Sequence, residues 1–185
     1  YYLASKTALK TDREAMQDVE TSLRLLRTDY IDLYQIAGVN GKEDLERILA
    51  PGGALDGLKR AKAEGKIGHI GITGHRLNTL IDALKTGEIE TVLFIFNMVY
   101  REPLEELIPL AKELSVGTMV MRPISHGELK PVSMSLAYVL TSGVDTALCG
   151  MYTKAEVDEN VAIANTEFTQ EQIAQLQKEA SALSD

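Results

Sequence analysis

Cysteine is almost absent from this chain. The lone thiol, Cys149, leaves no disulfide within the chain and no cysteine-built metal cluster, and it suits a reducing cytoplasm. Long hydrophobic runs are missing too. None approaches the roughly 20 residues that cross a bilayer, and no signal peptide is visible, so no membrane is expected as a partner. Positive charge is in deficit, with 19 Lys and Arg against 27 Asp and Glu, a formal net charge of -8. A surface of that sign argues against nucleic acid as a partner, while leaving room for a single basic pocket. There is no internal repeat beyond a β/α alternation, no low-complexity segment and no interdomain linker, so a single domain over 1–185 is expected. An initiator methionine is lacking as well. The chain opens on YYLASKT, which reads as the middle of a β/α unit, and the expectation is the C-terminal part of something longer.

What is present is ordinary for a globular core: 185 residues, 45% hydrophobic and 25% charged. Six short runs rich in Ile, Val, Leu, Phe and Tyr read as strands: Tyr2 to Lys6, Tyr30 to Ile36, His69 to Thr73, Val92 to Phe96, Thr118 to Met121 and Thr146 to Cys149. Helical patterns separate them, which calls for parallel pairing. Thr11-Asp-Arg-Glu14, Thr153-Lys-Ala-Glu156 and Thr169-Gln-Glu-Gln172 are capping boxes that open helices. The first helix is expected to bury Ala15, Val19, Leu23 and Leu26. Pro103 suits a first helical position ahead of a stripe of Leu104, Leu107, Ile108, Ala111 and Leu114. Phe168 and Ile173 are placed as a hydrophobic staple on a C-terminal helix, 169–184, expected to pack outside the sheet. A loop after the second strand carries a short helix, Lys42 to Leu49, closed by Pro51-Gly-Gly, on the side where β/α folds keep their sites. A doubly wound sheet is the alternative, but it wants a glycine-rich turn after its first strand, and SKTALKTD has none.

Strand alternation gives the faces. In His69-Ile-Gly-Ile-Thr73 the isoleucines suit the helix layer and Thr73 reaches the rim. In Val92-Leu-Phe-Ile-Phe-Asn97 the bulky Val92, Phe94 and Phe96 pack outward and Asn97 ends at the rim. Ile31, Leu33, Gln35 and Ala37 point inward, while Tyr34 faces the helices. Polar groups therefore collect where strands end.

TDYIDLYQIAG (28–38), EGKIGHIGITGH (64–75), ALKTG, MRP and the CGM with ENV that follows it, taken in this order, resemble the aldo-keto reductases. The likeness runs from Tyr2 to about Asn165. It is nearest to a bacterial and archaeal branch that often carries a C-terminal iron–sulfur extension, and Cys149 alone builds no such cluster. The resemblance implies an α/β fold, a (β/α)8 TIM barrel of aldo-keto reductase type. This example would be incomplete, with about six units visible and the two N-terminal units missing. Since a full barrel needs roughly 250 residues, an open six-strand arc would expose two edges, and a homo-oligomer is one way to cover them.

The resemblance also implies chemistry. Lys6, ending the first strand, would be the catalytic-site lysine, which pairs with an aspartate and lowers the pKa of a tyrosine that protonates a carbonyl. That tyrosine and aspartate come from before this strand. Tyr2 lies four residues deeper, about 13 Å along the strand, and cannot stand in. Ala37 occupies the place of a histidine, and His75 in the next loop does not obviously replace it. The cofactor, NADP(H) or NAD(H), would be held by Thr73, Asn97, Met121, Arg122, Gly150, Met151, Lys154, Glu159 and Asn160. Free N–H groups leading into the helix after Gly150-Met-Tyr-Thr153 make a natural phosphate site. Glu156 falls where the family has an arginine, and Lys154 or Arg122 would compensate for it. Gly74, Leu93 and Met121 also depart from the pattern. The expected function is hydride transfer from NAD(P)H to an aldehyde or ketone in the cytoplasm, without a metal, with a small carbonyl compound as partner. The first alternative is a catalytically impaired nucleotide-binding scaffold or regulator of the same fold. The second is a Schiff-base barrel with Lys6 as nucleophile.

Overall fold

β-Branched and aromatic runs become strands, and capped amphipathic segments become the helices between them. The computed structural model describes residues 2–183. The strands are β1 (Ala4–Thr7), β2 (Ile31–Ile36), β3 (Ile67–Thr73), β4 (Thr91–Ile95), β5 (Gly117–Met121) and β6 (Thr146–Leu148), and their order in the sheet is their order in the chain. β1–β2, β2–β3, β3–β4 and β5–β6 are parallel pairs. Chain-ordered parallel strands joined through helices are the winding of a (β/α)8 barrel, here over six units; a doubly wound sheet would reverse its order at a switch point. All six expected strands occur, their ends displaced by a residue or two. The helices are α1 (Asp12–Leu26), α2 (Lys42–Leu49), α3 (Ala54–Ala63), α4 (Leu77–Lys85), α5 (Leu107–Glu113), α6 (Val132–Leu140), α7 (Lys154–Ala164) and α8 (Gln170–Ala182).

The chain divides into two compact units: residues up to Leu93 with Leu110–Gly117, and Phe94–Pro109 with the residues from Thr118 onward. In the first, Ile31, Ile36, Ile70, Ile72 and Val92 are buried, as are Ala15 and Val19 of α1 and Leu58 of α3. Tyr34 faces α1, where its hydroxyl lies 2.8 Å from Ser22 Oγ. Helix α1 approaches α3 at a bare backbone, since a Cβ on Gly57 would lie 2.3 Å from the Asp12 carbonyl oxygen. Leu26 is a correction to the expected stripe, being 46% exposed. It sits in the terminal turn, one residue before the left-handed cap Arg27 (φ 55). The Thr11 box is half formed. Glu14 accepts from the Thr11 hydroxyl at 2.5 Å instead of from a backbone amide, and the Thr11 backbone is bridged to Gly53 instead.

In the second unit Phe94, Phe96, Met98, Val120, Tyr138 and Val139 are buried. The Phe96 and Tyr138 rings lie 5.7 Å apart at 34°. Phe168 and Leu176 pack against Leu136, Ala137 and Ile163, which seats α8 on α6. Both late capping boxes are complete. Ser184 of the expected C-terminal helix lies outside the described residues. Pro103 opens only a 3₁₀ turn, Glu102–Leu104, and α5 starts afresh at Leu107. The tighter turn breaks the 3.6-residue stripe, so Leu104 is exposed while Leu107, Ile108 and Ala111 are buried, and Leu114, past the end of α5, is exposed as well.

Candidate active site

The strand ends of the first unit carry Lys6 and Thr73. Tyr2 ahead of β1 is exposed, as are Ala4 and Lys6 along it, while Thr7 is buried, its hydroxyl donating to Asp18 at 2.6 Å. The Lys6 ammonium therefore stands in solvent and has no ion-pair partner among the described residues. The resemblance implies a buried lysine paired with an aspartate; among the described residues β1 is an end strand of the sheet, and no described strand lies beyond it. Tyr2 is 91% exposed and precedes β1. Thr73 ends β3 and is buried, and its carbonyl accepts from Val39 N at 3.3 Å. A Cβ on Gly74 would sit 2.2 Å from the Val39 carbonyl oxygen, so no asparagine fits after Thr73. His75 donates its amide to Asn40 Oδ1 at 2.7 Å and leaves its ring exposed. His69 lies nearer the other end of β3, where its Nδ1 is 2.9 Å from Glu90.

Ala37 is bonded on both sides. Its amide donates to the Thr7 carbonyl at 2.7 Å, and its carbonyl accepts from Lys10 Nζ at 3.0 Å. Lys10 also donates to the Gly38 carbonyl at 3.4 Å. Burial pushes the pKa of this ammonium down, the nearby Asp44 charge opposes that, and Arg47 adds to it. Sequence periodicity misses Lys10 because a loop has no period. Its place just after a strand, on the side where β/α folds keep their sites, was the available signal.

In the second unit Asn97 is buried and its side chain makes three hydrogen bonds. Its Nδ2 donates to the Arg122 carbonyl at 3.1 Å, and its Oδ1 accepts from Val99 N at 3.0 Å and Tyr100 N at 2.9 Å. The loop after β5 is strained: Arg122 (φ 58), Ser125 (φ 44) and His126 (φ 58) are all left-handed, a conformation uncommon outside glycine. Arg122 is exposed and Met121 half-buried.

Helix α7 begins differently from the expected open phosphate cradle. The Glu156 carboxylate accepts from Tyr152 N at 2.6 Å and Thr153 N at 3.0 Å. These amides hold its pKa below the usual glutamate value. Two of the backbone N–H groups leading into the helix, those of Tyr152 and Thr153, already hold a carboxylate. Lys154 is paired with Asp158 one turn on. Gly150, Met151 and Glu159 are exposed and Asn160 is half-buried. Cys149, Met151, Asn160 and Val161 line an open groove of about 520 Å³ together with Leu136 and Leu148. Burial pushes the Cys149 thiol up, a hydrogen bond from Asn160 pulls it down, and the Glu156 charge pushes it up. Thus Met151 and Asn160 meet at one groove and Asn97 meets the Arg122 backbone, while Lys154 and Glu159 stay on exposed surface. Among the described residues, no group of three His, Cys, Asp or Glu could hold a metal, and no helix is long and apolar enough to cross a membrane.

The aldo/keto reductase family model matches residues 1–131. The uncharacterized oxidoreductase YqkF of Bacillus subtilis (strain 168) is 29% identical over 137 residues, covering 73% of this chain and 40% of that protein. The aldo-keto reductase YhdN of the same organism is 27% identical over 137 residues, covering 69% and 40%. The matched stretch therefore spans well under half the length of these curated relatives. Among solved structures, the holo form of aldo-keto reductase AKR11C1 from Bacillus halodurans superposes with a TM-score of 0.78 at 26% identity, over 96% of this chain and 71% of that one. An aldo-keto reductase from Klebsiella pneumoniae in complex with NADPH shares the fold, with a TM-score of 0.78 at 22% identity over 96% and 69%.

Proposed function

This chain belongs to the aldo/keto reductase family, and we propose that the full-length protein transfers hydride reversibly between NAD(P)H and a small aldehyde or ketone. The observation that carries this reading is Lys6 at the C-terminal end of β1, the end where β/α barrels keep their chemistry. A cation there stabilises a neighbouring phenolate. A phenol of ordinary pKa near 10 then works closer to neutrality, protonating the carbonyl oxygen as hydride arrives. The phenol and its aspartate are assigned to the full-length protein outside residues 2–183, because Tyr2 lies in solvent before the strand.

Bound nicotinamide supplies the hydride. We assign Thr73 and Asn97 to its amide end, and Met121 to packing against its ring, as thioethers do against aromatic faces. The groove beside Asn160 fits a flat, largely apolar base, since Leu136, Leu148 and Met151 line it with one amide among them. Glu159 would hold the polar edge of that base, with Gly150 close behind. The loop leading into α7 does not fit a phosphate, because Glu156 occupies its Tyr152 and Thr153 amides. The phosphates are therefore assigned to exposed Arg122, with Lys154 contributing where Asp158 releases it.

Ala37 favours a second reading, a nucleotide-binding scaffold that no longer turns over, since its methyl can neither orient nor polarise a carbonyl. Fluorescence titration of the full-length protein with NADPH and NADH, followed by oxidation in the presence of a generic aldehyde, separates the two. Binding with turnover supports the reductase. Binding without turnover leaves the scaffold, and no binding removes both. A carbonyl adduct trapped by borohydride on Lys6 would instead favour the Schiff-base barrel.

A further inference from the structure

We propose that Lys10 is a positioning residue, which locks the exit of β2 and through it fixes the Thr73 end of β3. The inference rests on the reductase reading, since it concerns where Thr73 stands for the nicotinamide. Three loops distant in sequence, those after β1, β2 and β3, are joined here by a short series of bonds.

The first link is Lys10 Nζ on the successive carbonyls of Ala37 and Gly38. Successive carbonyls of an extended chain point in opposite directions. Both can meet one ammonium because Gly38 is left-handed (φ +68), which swings its carbonyl back to the same side. The next link is Val39, fully buried, whose amide bonds the Thr73 carbonyl and whose own carbonyl lies against bare Gly74. The third is Asn40, whose Oδ1 accepts the His75 amide while its own amide donates to Asp44 at 3.1 Å. The Asp44 charge also acts on Lys10, raising the ammonium's pKa against the effect of burial. Taking an ammonium partly out of water is unfavourable unless bonds replace its hydration. Lys10 has such bonds only while residues 37 and 38 keep this conformation, so the cation and the loop conformation stabilise each other. With the cation removed, Ala37 keeps its bond to Thr7, but residues 38–40 are held only from the β3 side and by Asp44, and the Thr73–His75 end of β3 shifts with them.

The test uses the full-length protein and three variants: Lys10→Met, Lys10→Arg and Asn40→Ala. Kd for NADPH and NADH, kcat and KM with a generic aldehyde, and thermal melting are read on each. Lys10→Met is expected to weaken dinucleotide binding roughly three- to thirtyfold, the range of coupling carried by residues that touch neither ligand. Lys10→Arg should restore most of the loss. Asn40→Ala, at an exposed position outside the core, should reproduce the loss and serves if Lys10→Met does not fold. The inference is overturned if Kd and kcat stay within about twofold of the wild type while only the melting temperature falls, or if Lys10→Arg is no better than Lys10→Met. If the wild type binds neither dinucleotide, the reductase reading fails and this inference with it. If the wild type binds and the variants bind equally well, only this inference fails.

Discussion

Glu156 shows how one side chain can close a site that its backbone would open. Its carboxylate holds the Tyr152 and Thr153 amides just before α7, and those bonds depress its pKa. For a group with a depressed folded value, the stabilisation is complete above the unfolded glutamate value and is lost as pH falls through the folded one. Acidification through that window is expected to lower amide-exchange protection at Tyr152 and Thr153. Glu156→Gln should abolish that pH dependence, and an unchanged profile would contradict the capping role. The same geometry sets a second expectation. Glu156→Arg exchanges a carboxylate for a fork that pairs with phosphate, so the ratio of NADH to NADPH dissociation constants should rise by roughly tenfold. A constant ratio would place the 2′-phosphate elsewhere. Glu156 was legible in the sequence as a cap, because Thr-x-x-Glu is a local signal. Lys10 was not, and neither was the bond from Asn97 to the Arg122 carbonyl. Each of those joins segments far apart in the chain.

Elements formed where local signals agreed. The six β-rich runs became strands because their side chains fit a pleated, covered surface, and α2, α7 and α8 start at or beside their expected first residues. The stretch around Pro103 failed for a physical reason: proline fits a helix start and a 3₁₀ turn equally well, and no local pattern separates them. How closely two helices approach is also not local. Gly57 could be any small residue by sequence, yet its missing Cβ is what lets α3 meet the Asp12 carbonyl of α1. Gly57→Ala drives a methyl against backbone that cannot yield, so a loss of about 1–3 kcal/mol is expected. A urea midpoint equal to that of the wild type would show that the helices separate freely.

At the scale of the whole molecule, the reductase reading requires that the folded protein bind dinucleotide better than the unfolded chain does. At a free concentration one hundred times Kd, linkage adds about 2.7 kcal/mol, which is a rise of several degrees in melting temperature for the full-length protein. NADPH and NADH without effect at saturating concentration would remove the cofactor from this account. The parallel β/α class, the six strands, the side of the fold that carries Lys6 and Thr73, and the acidic surface were all fixed by residue order alone. They follow from periodicities of 2 and 3.6 residues and from caps that act within one turn. Tertiary structure alone decided that the Asn97 amide reaches the Arg122 carbonyl, that the Gly57 backbone meets Asp12, and that Lys10 ties Ala37 and Gly38 to the Thr73 strand end. These depend on the distances between segments dozens of residues apart, and no short-range pattern encodes such distances.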